Sequence, residues 1–241
     1  MPQRQGEGGW DLYNISFNGE NCAKYSIIPV RRPSVPAPEI RVEETEIPGM
    51  DGTLVETDGV YNNIVIPVEF NFLVPPDKWM AAYRRAKRWL TGSGNLILGD
   101  DQEYFYKVLY CNITGAERTS RRLGNLEAEF TCYPYAFLVS GQNKYAPEEV
   151  EYNPYMVSHP VYIITGSGGC DLTVNGNKMD VTVNQEITID TDRMVAYNDE
   201  MVNQSNLLSG DYEGLYLLEG QNTISITDGF SLSVIPNWRV L

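Results

Sequence analysis

Residues 77–92, DKWMAAYRRAKRWLTG, are the one stretch of this 241-residue chain that reads as an α-helix. Trp79, Tyr83, Ala86 and Leu90 recur at spacings of four, three and four, so at 3.6 residues per turn they share one stripe. Lys78, Arg84, Arg85, Lys87 and Arg88 fall on the other side and make a cationic face. Asp77, after Pro75-Pro76, is the expected N-cap, and Gly92 the expected left-handed stop. Burying Trp79, Tyr83 and Leu90 would contribute about 1.5–3 kcal/mol each. One helix can therefore pin the sheets that flank it.

Outward from the helix the chain reads as β-structure. Before it, Ile64, Ile66, Val68, Phe70 and Phe72 alternate with Asn63, Val65, Pro67, Glu69 and Asn71, the period of a strand with one buried face. Pro67 cannot donate to a ladder, so it is expected at an edge or bulge. Earlier still, Asp11–Phe17 and Tyr25–Val30 read as short strands, the first ending in the hairpin signal Asn18-Gly19. Glu39–Ile47 alternates, with Ile40 and Val42 opposite Arg41 and Glu43, and Asp51-Gly52 and Asp58-Gly59 punctuate the run between it and Ile64. After the helix come Asn95–Leu98, a turn at Asp100-Asp101, the aromatic strand Glu103–Ile113, a basic loop Glu117–Arg122, and Leu126–Cys132 with Leu126, Ala128, Phe130 and Cys132 inward. Strands, one helix and strands again make an α+β unit with the helix on one face of antiparallel sheets.

From Tyr133-Pro134 to Pro160 prolines crowd the text, which reads as a connector. Beyond it, short strands recur at the spacing of a sandwich: Val161–Thr165, Cys170–Val174, Lys178–Val183, Glu186–Asp190, Met194–Tyr197, Gly214–Leu218, Thr223–Thr227 and Phe230–Ile235. Asn175-Gly176 and Asp228-Gly229 are hairpin-turn candidates. Two domains are expected, 1–140 and 141–241, in a mainly β protein.

Charge divides in the same place. Up to Ser140 there are 14 Lys+Arg against 18 Asp+Glu, and from Gly141 onward 4 against 14, within a total of −14. That balance argues against generic binding of nucleic acid or an anionic membrane surface. No run approaches the roughly 20 apolar residues of a membrane span, and MPQRQGEGGW lacks the apolar run of a secretory signal. The product is expected to begin life in a cytoplasm. Cys22, Cys111, Cys132 and Cys170 lack CxxC or metal-ligand spacing and are expected as reduced, mostly buried thiols.

A reaction centre does not emerge. His159, the one histidine, precedes a proline and has no nucleophile motif around it. Asp190-x-Asp192, Asp100-Asp101 and Asp199-Glu200 read as solvated turns rather than cation loops. Gly166-x-Gly168-Gly169 has no helix after it to hold a phosphate and reads as a strand connection. Trp10, Trp79, Trp89 and Trp238 read as core or interface rather than a sugar platform. No catalytic residue, cofactor or metal is therefore expected. The basic groups Arg31-Arg32, Arg84–Arg88 and Arg118–Arg122 all precede Ser140, and charge pairing could join them to acidic surfaces of another copy.

An ordered set of segments resembles the distal tail proteins, called Dit, of siphophages: FNG, IPGMDGTLVETDGVYNN, IVIPVEFNF, the helix ending RWLTG, LILGDDQEYFYKV, EFTCYPYAF, then HPVYIITGSG, LTVNG, ITIDTD and LLEGQNTISI. The likeness runs from about Leu12 onward. It implies a tail-tube-like β-sandwich with one helix and arms that lap neighbouring subunits, followed by a galectin-like antiparallel β-sandwich. It further implies a structural virion protein, assembled in the host cytoplasm into a hexameric ring at the far end of the tail tube. Such a ring joins the tail-tube protein to the tail-tip hub or tail-associated lysin and to receptor-binding or baseplate proteins, while DNA passes through the bore. The candidate interface residues are Arg31 and Arg32, the Gly49, Asp51 and Gly52 turn, Arg84, Arg85 and Arg88 on the helix, and Arg118, Arg121 and Arg122 in the basic loop. Arg31–Gly59 is the candidate arm. A rival from another class is a glycan-binding adhesion module worked by the C-terminal sandwich; a cell-wall hydrolase is a third.

Overall fold

The computed structural model of the chain describes residues 13–241. Trp10 and the first residues of the expected strand Asp11–Phe17 lie outside them. Two compact units divide the chain, Met1–Tyr135 and Ala136–Leu241.

In the first unit seven strands line up in one sheet in the order Glu20–Asn21, Ile15–Phe17, Gly94–Leu98, Asp101–Glu117, Leu123–Leu138, Ile64–Leu73 and Ile27–Pro29. Asn18 and Gly19 both take positive φ, 53° and 74°, and turn Phe17 back onto Glu20 as the sequence predicts. Ile64–Leu73 buries every second side chain, and Leu126, Ala128, Phe130 and Cys132 face the same core from the neighbouring strand. Pro67 stands opposite Glu129. On the other side Ile27–Pro29 reaches only Phe70–Phe72. The proline thus lies past the end of that neighbour, where a missing N–H costs no ladder bond.

The helix spans Trp79–Leu90 and buries Trp79, Ala82, Ala86, Trp89 and Leu90. Trp89, absent from the expected stripe, is the hub of this core: it stacks on Tyr25 at 4.8 Å, meets Phe17 and Phe70 edge-on at 6.3 Å, and its indole N–H donates to the Phe17 carbonyl at 3.2 Å. Tyr83 is only half-buried. Asp77 does not cap the helix. It sits within a preceding 3-10 turn, Pro76–Lys78, and no side chain caps either start. Gly92, with φ of 107°, comes just after the helix in the positive-φ region.

The second unit is built on one long hairpin. Val161–Val174 pairs with Asn177–Asp190 in unbroken antiparallel register around the turn Asn175-Gly176. Four expected strands are therefore two. The Gly166-Ser-Gly-Gly run is inside a strand instead of connecting two, because Phe230 packs where a side chain at 166 would stand: a Cβ there would lie 2.3 Å from its ring. Asp228-Gly229 is not a hairpin turn, since Ile224–Ile226 and Ser231–Ile235 both pair with the same strand, Val161–Val174. Gly214–Leu218 is not a strand either but contains part of the 3-10 turn Glu213–Leu215. The core holds Tyr162, Ile164, Leu172, Val174, Met179, Val181, Ile187 and Ile189. The connector starts later than expected, because the strand Leu123–Leu138 runs through Tyr133-Pro134. Ile64 pairs with Cys132 as the last residue on that side, so Pro134 loses no bond there. Both units are mainly β, with antiparallel sheets.

Candidate assembly interface

Between the prolines at 33–38 and the strand Ile64–Leu73 the chain leaves the sheet. Ile40–Glu46 and Thr53–Tyr61 pair only with each other, as a two-stranded sheet of their own. The Asn62 N–H donates to the Glu39 carbonyl at 2.8 Å and closes the base. Asp58-Gly59 does not turn the chain: it forms a bulge opposite Arg41, held by the Thr57 hydroxyl donating to the Arg41 carbonyl at 2.9 Å. At the far end Gly49 and Gly52, φ 86° and 84°, shape the tip around Asp51.

Every residue from Glu39 to Val60 is exposed. The alternation that assigns Ile40 and Val42 to a core face is real, but no core lies beneath it: Val42, Leu54, Val55 and Val60 are 41–53% exposed. An isolated two-stranded ribbon is marginal in water. This one also carries seven carboxylates between residues 39 and 61 against a single base, Arg41. Arg41 is engaged with Asp58 at 3.7 Å. Glu43 stands directly opposite Glu56, and like charges so placed destabilise a strand pair. The sequence held the signal: an acidic excess over a segment with apolar residues at both strand parities.

The helix supplies the opposite charge. Arg84, Arg85, Lys87 and Arg88 are all exposed on its outer side, away from the buried residues, and the ion pairs among the described residues include none of them. Arg118 has an internal task. Its guanidinium donates to the Pro76 carbonyl at 3.2 Å and the Arg121 carbonyl at 2.6 Å and lies over the Trp79 ring, fixing the basic loop beside the start of the helix. Arg121 and Arg122 stay exposed in that loop. The basic loop thus lies beside the start of the helix, whereas Arg31 and Arg32 are elsewhere. Arg32 pairs with Asp100 at 3.1 Å and lies over the Tyr13 ring. With Arg31 it borders a cleft of about 430 Å³ on the sheet face opposite the core, where Glu69, Glu127 and Glu129 also lie. Glu69 and Glu127 are another directly opposed pair. Here relief is at hand from Asn125, whose amide donates to Glu69 at 2.7 Å, while Arg31 and Arg32 border the same cleft.

Elsewhere polar groups face one another. His159 stacks on Tyr216 with ring centroids 4.0 Å apart, its Nδ1 is 3.0 Å from Asp192, and its Nε2 faces the Arg239 guanidinium at 3.1 Å. Arg239 can only donate, so Nε2 accepts and Nδ1 carries the proton toward Asp192. Asp190 accepts the backbone N–H groups of Asp192 and Arg193 at 3.1 Å. Among the described residues no group of three His, Cys, Asp or Glu is placed to hold a metal ion. All four cysteines are free, and only Cys111 is not fully buried. No helix among the described residues is long and apolar enough to cross a membrane.

No protein-family model matches the chain, and no curated protein matches it. Its fold matches the crystal structure of the Dit protein of SPP1, described as a paradigm of the hub adsorption apparatus in phages infecting Gram-positive bacteria. The TM-score is 0.68 at 12% identity, over 95% of this chain and 100% of that one. The fold is Dit-like.

Proposed function

We propose that the chain is a structural subunit of a phage tail tip, six copies of which close into a ring that joins the tail tube to the adsorption machinery. The observation that carries this reading is the arm Ile40–Tyr61, a Val- and Leu-bearing ribbon exposed almost throughout and bonded to no other sheet. Such a segment makes physical sense when neighbouring copies cover it, and the Dit-like fold gives it a setting. In that setting the first unit forms the ring and the second, a galectin-like sandwich, meets baseplate or receptor-binding partners. No reaction is assigned to the chain.

The reading extends to the bore. The sheet face opposite the helix carries Glu69, Glu127 and Glu129 beside Arg31 and Arg32, the latter already paired with Asp100. Turned toward the channel in six copies, the net negative charge left on that face would repel DNA over a Debye length of about 8 Å. The adhesion reading has weaker support. The two hollows on the second unit bordered by Thr182 and Leu207 have no aromatic side chain in their lining on which a sugar ring could stack.

Immunogold labelling of intact particles tests the proposal. Label at the junction of tube and tip is expected; label along the tube, on fibres or on the head would refute it.

A further inference from the structure

We infer that the acidic arm of one copy seats on the basic helix Trp79–Leu90 of a second copy, with guanidinium groups of that helix entering the cleft between Glu43 and Glu56. This rests on the ring reading above and adds to it a receiving surface and a force.

Each surface repels itself as it stands. On the arm, Glu43, Glu56 and Asp58 share a shallow cleft of about 360 Å³ with Arg41 as the one cation. Three carboxylates against one guanidinium leave that cleft two charges negative. On the helix, Arg84 and Arg88 are four residues apart and Arg85 and Arg88 three apart, spacings at which like charges destabilise. Lys87 and Arg88 occupy the last turn, where the helix dipole favours cations. Arg84 and Arg85 sit a turn earlier and have no such reason. Bringing the two surfaces together removes both repulsions at once.

Elimination points to the same helix. Of the four cations after Tyr135, Lys144 is a single exposed charge, Lys178 pairs with Asp171 and Asp180, Arg193 pairs with Asp190, and Arg239 donates to the Val157 carbonyl. In the first unit Lys24, Arg32 and Arg41 are paired with carboxylates, and Arg118 holds its loop. The densest set left over is Arg84, Arg85, Lys87 and Arg88.

The apolar pattern also fits. Leu54 and Glu56 lie two apart on one strand, roughly 6.6 Å along a common face. Met80 and Arg84 lie four apart on the helix, roughly 6 Å along a common face. Leu54 and Met80 are 41% and 49% exposed. Laid together, Leu54 covers Met80 while Glu56 meets Arg84.

Two double variants test the seating: an arm variant carrying Glu43→Lys and Glu56→Lys, and a helix variant carrying Arg84→Glu and Arg85→Glu. Mass is tracked by light scattering at low salt, with thermal melts as the folding control. Each variant alone is expected to lose self-association at least tenfold, and an equimolar mixture to regain the parent's mass, because the basic arm of one then meets the acidic helix of the other. Both variants assembling like the parent would overturn the seating and leave the ring standing. A mixture of folded variants that stays dissociated would do the same. A parent that is a monomer throughout would overturn both. Should a variant misfold, the parent alone suffices: its assembly is expected to weaken at least tenfold between about 50 and 500 mM salt, and salt-insensitive assembly contradicts the inference.

Discussion

Two hairpins of the molecule solve opposite problems. The hairpin of the second unit, Val161–Val174 with Asn177–Asp190, has 14-residue strands, buries Tyr162, Ile164, Leu172, Val181 and Ile189, and takes further strands on its outer edges. The arm, Ile40–Glu46 with Thr53–Tyr61, uses the same residue types, Val, Ile, Leu and Thr, and buries none of them. Strand chemistry alone therefore does not separate a core element from an interface element. What separates them is whether the rest of the chain provides a cover. For the arm it does not, and the surplus of carboxylates on it calls for a cover that brings positive charge.

The largest expected difference compares leucines. Leu172→Ala opens a cavity in a closed core and should cost about 2–5 kcal/mol in urea unfolding. Leu54→Ala removes an exposed side chain and should change monomer stability by no more than about 0.5 kcal/mol. Equal losses would mean that the arm is packed in the isolated subunit, and the contrast would fail.

Glycines give a smaller contrast of the same form. Gly166→Ala drives a methyl into the Phe230 ring and should cost about 1–3 kcal/mol. Gly49→Ala meets nothing within 4 Å and suffers only from its φ of 86°, about 1 kcal/mol. It should leave the melt of the rest of the chain where it was.

Thiol chemistry provides the mildest probe. Burial pushes the Cys111 and Cys132 thiols up to about 12, so both should resist alkylation at pH 8 in the native protein and react once it is unfolded. A thiol raised in the folded state keeps its contribution below about pH 9, its ordinary value here, and loses it as the pH climbs toward 12. Alkaline titration should accordingly show stability falling across that window. A cysteine placed on the arm by Val55→Cys should instead be alkylated within minutes at low protein concentration, and be protected as concentration rises and copies assemble.

Much of the fold is legible in the sequence where local patterns act alone. The alternation of Ile64–Phe72, the turns Asn18-Gly19 and Asn175-Gly176, and the existence of the helix all come from residue periodicity and left-handed preference. The misreadings share a cause. Gly166-Ser-Gly-Gly, Pro134 and Asp228-Gly229 look like breaks, yet each is tolerated because of a distant residue: the Phe230 ring fills the space over Gly166, Ile64 ends the pairing before Pro134, and Val161–Val174 holds the chain on both sides of Asp228. Trp89 escapes detection as the hub because its partners Tyr25, Phe17 and Phe70 come from three other segments. At the candidate interface the arginines can be read from the sequence, but not the separation of Arg118, bound to its own loop, from Arg84 and Arg85 on the outer side of the helix. The opposition of Glu43 and Glu56 follows the register set at the tip by Glu46 and Thr53, which the bulge at Asp58-Gly59 offsets from the pairing of Ile40 with Tyr61 at the base, and counting along the sequence does not give it.

The account rests on the arm being covered by a second copy. Light scattering on the purified chain over a range of concentrations reads this directly. The prediction is a species of six times 27.2 kDa, roughly 163 kDa, that falls to a folded monomer when residues 41–60 are replaced by a short Gly-Ser turn. An arm-deleted chain that assembles as fully as the parent, or a parent that stays at 27.2 kDa at every concentration, would contradict it.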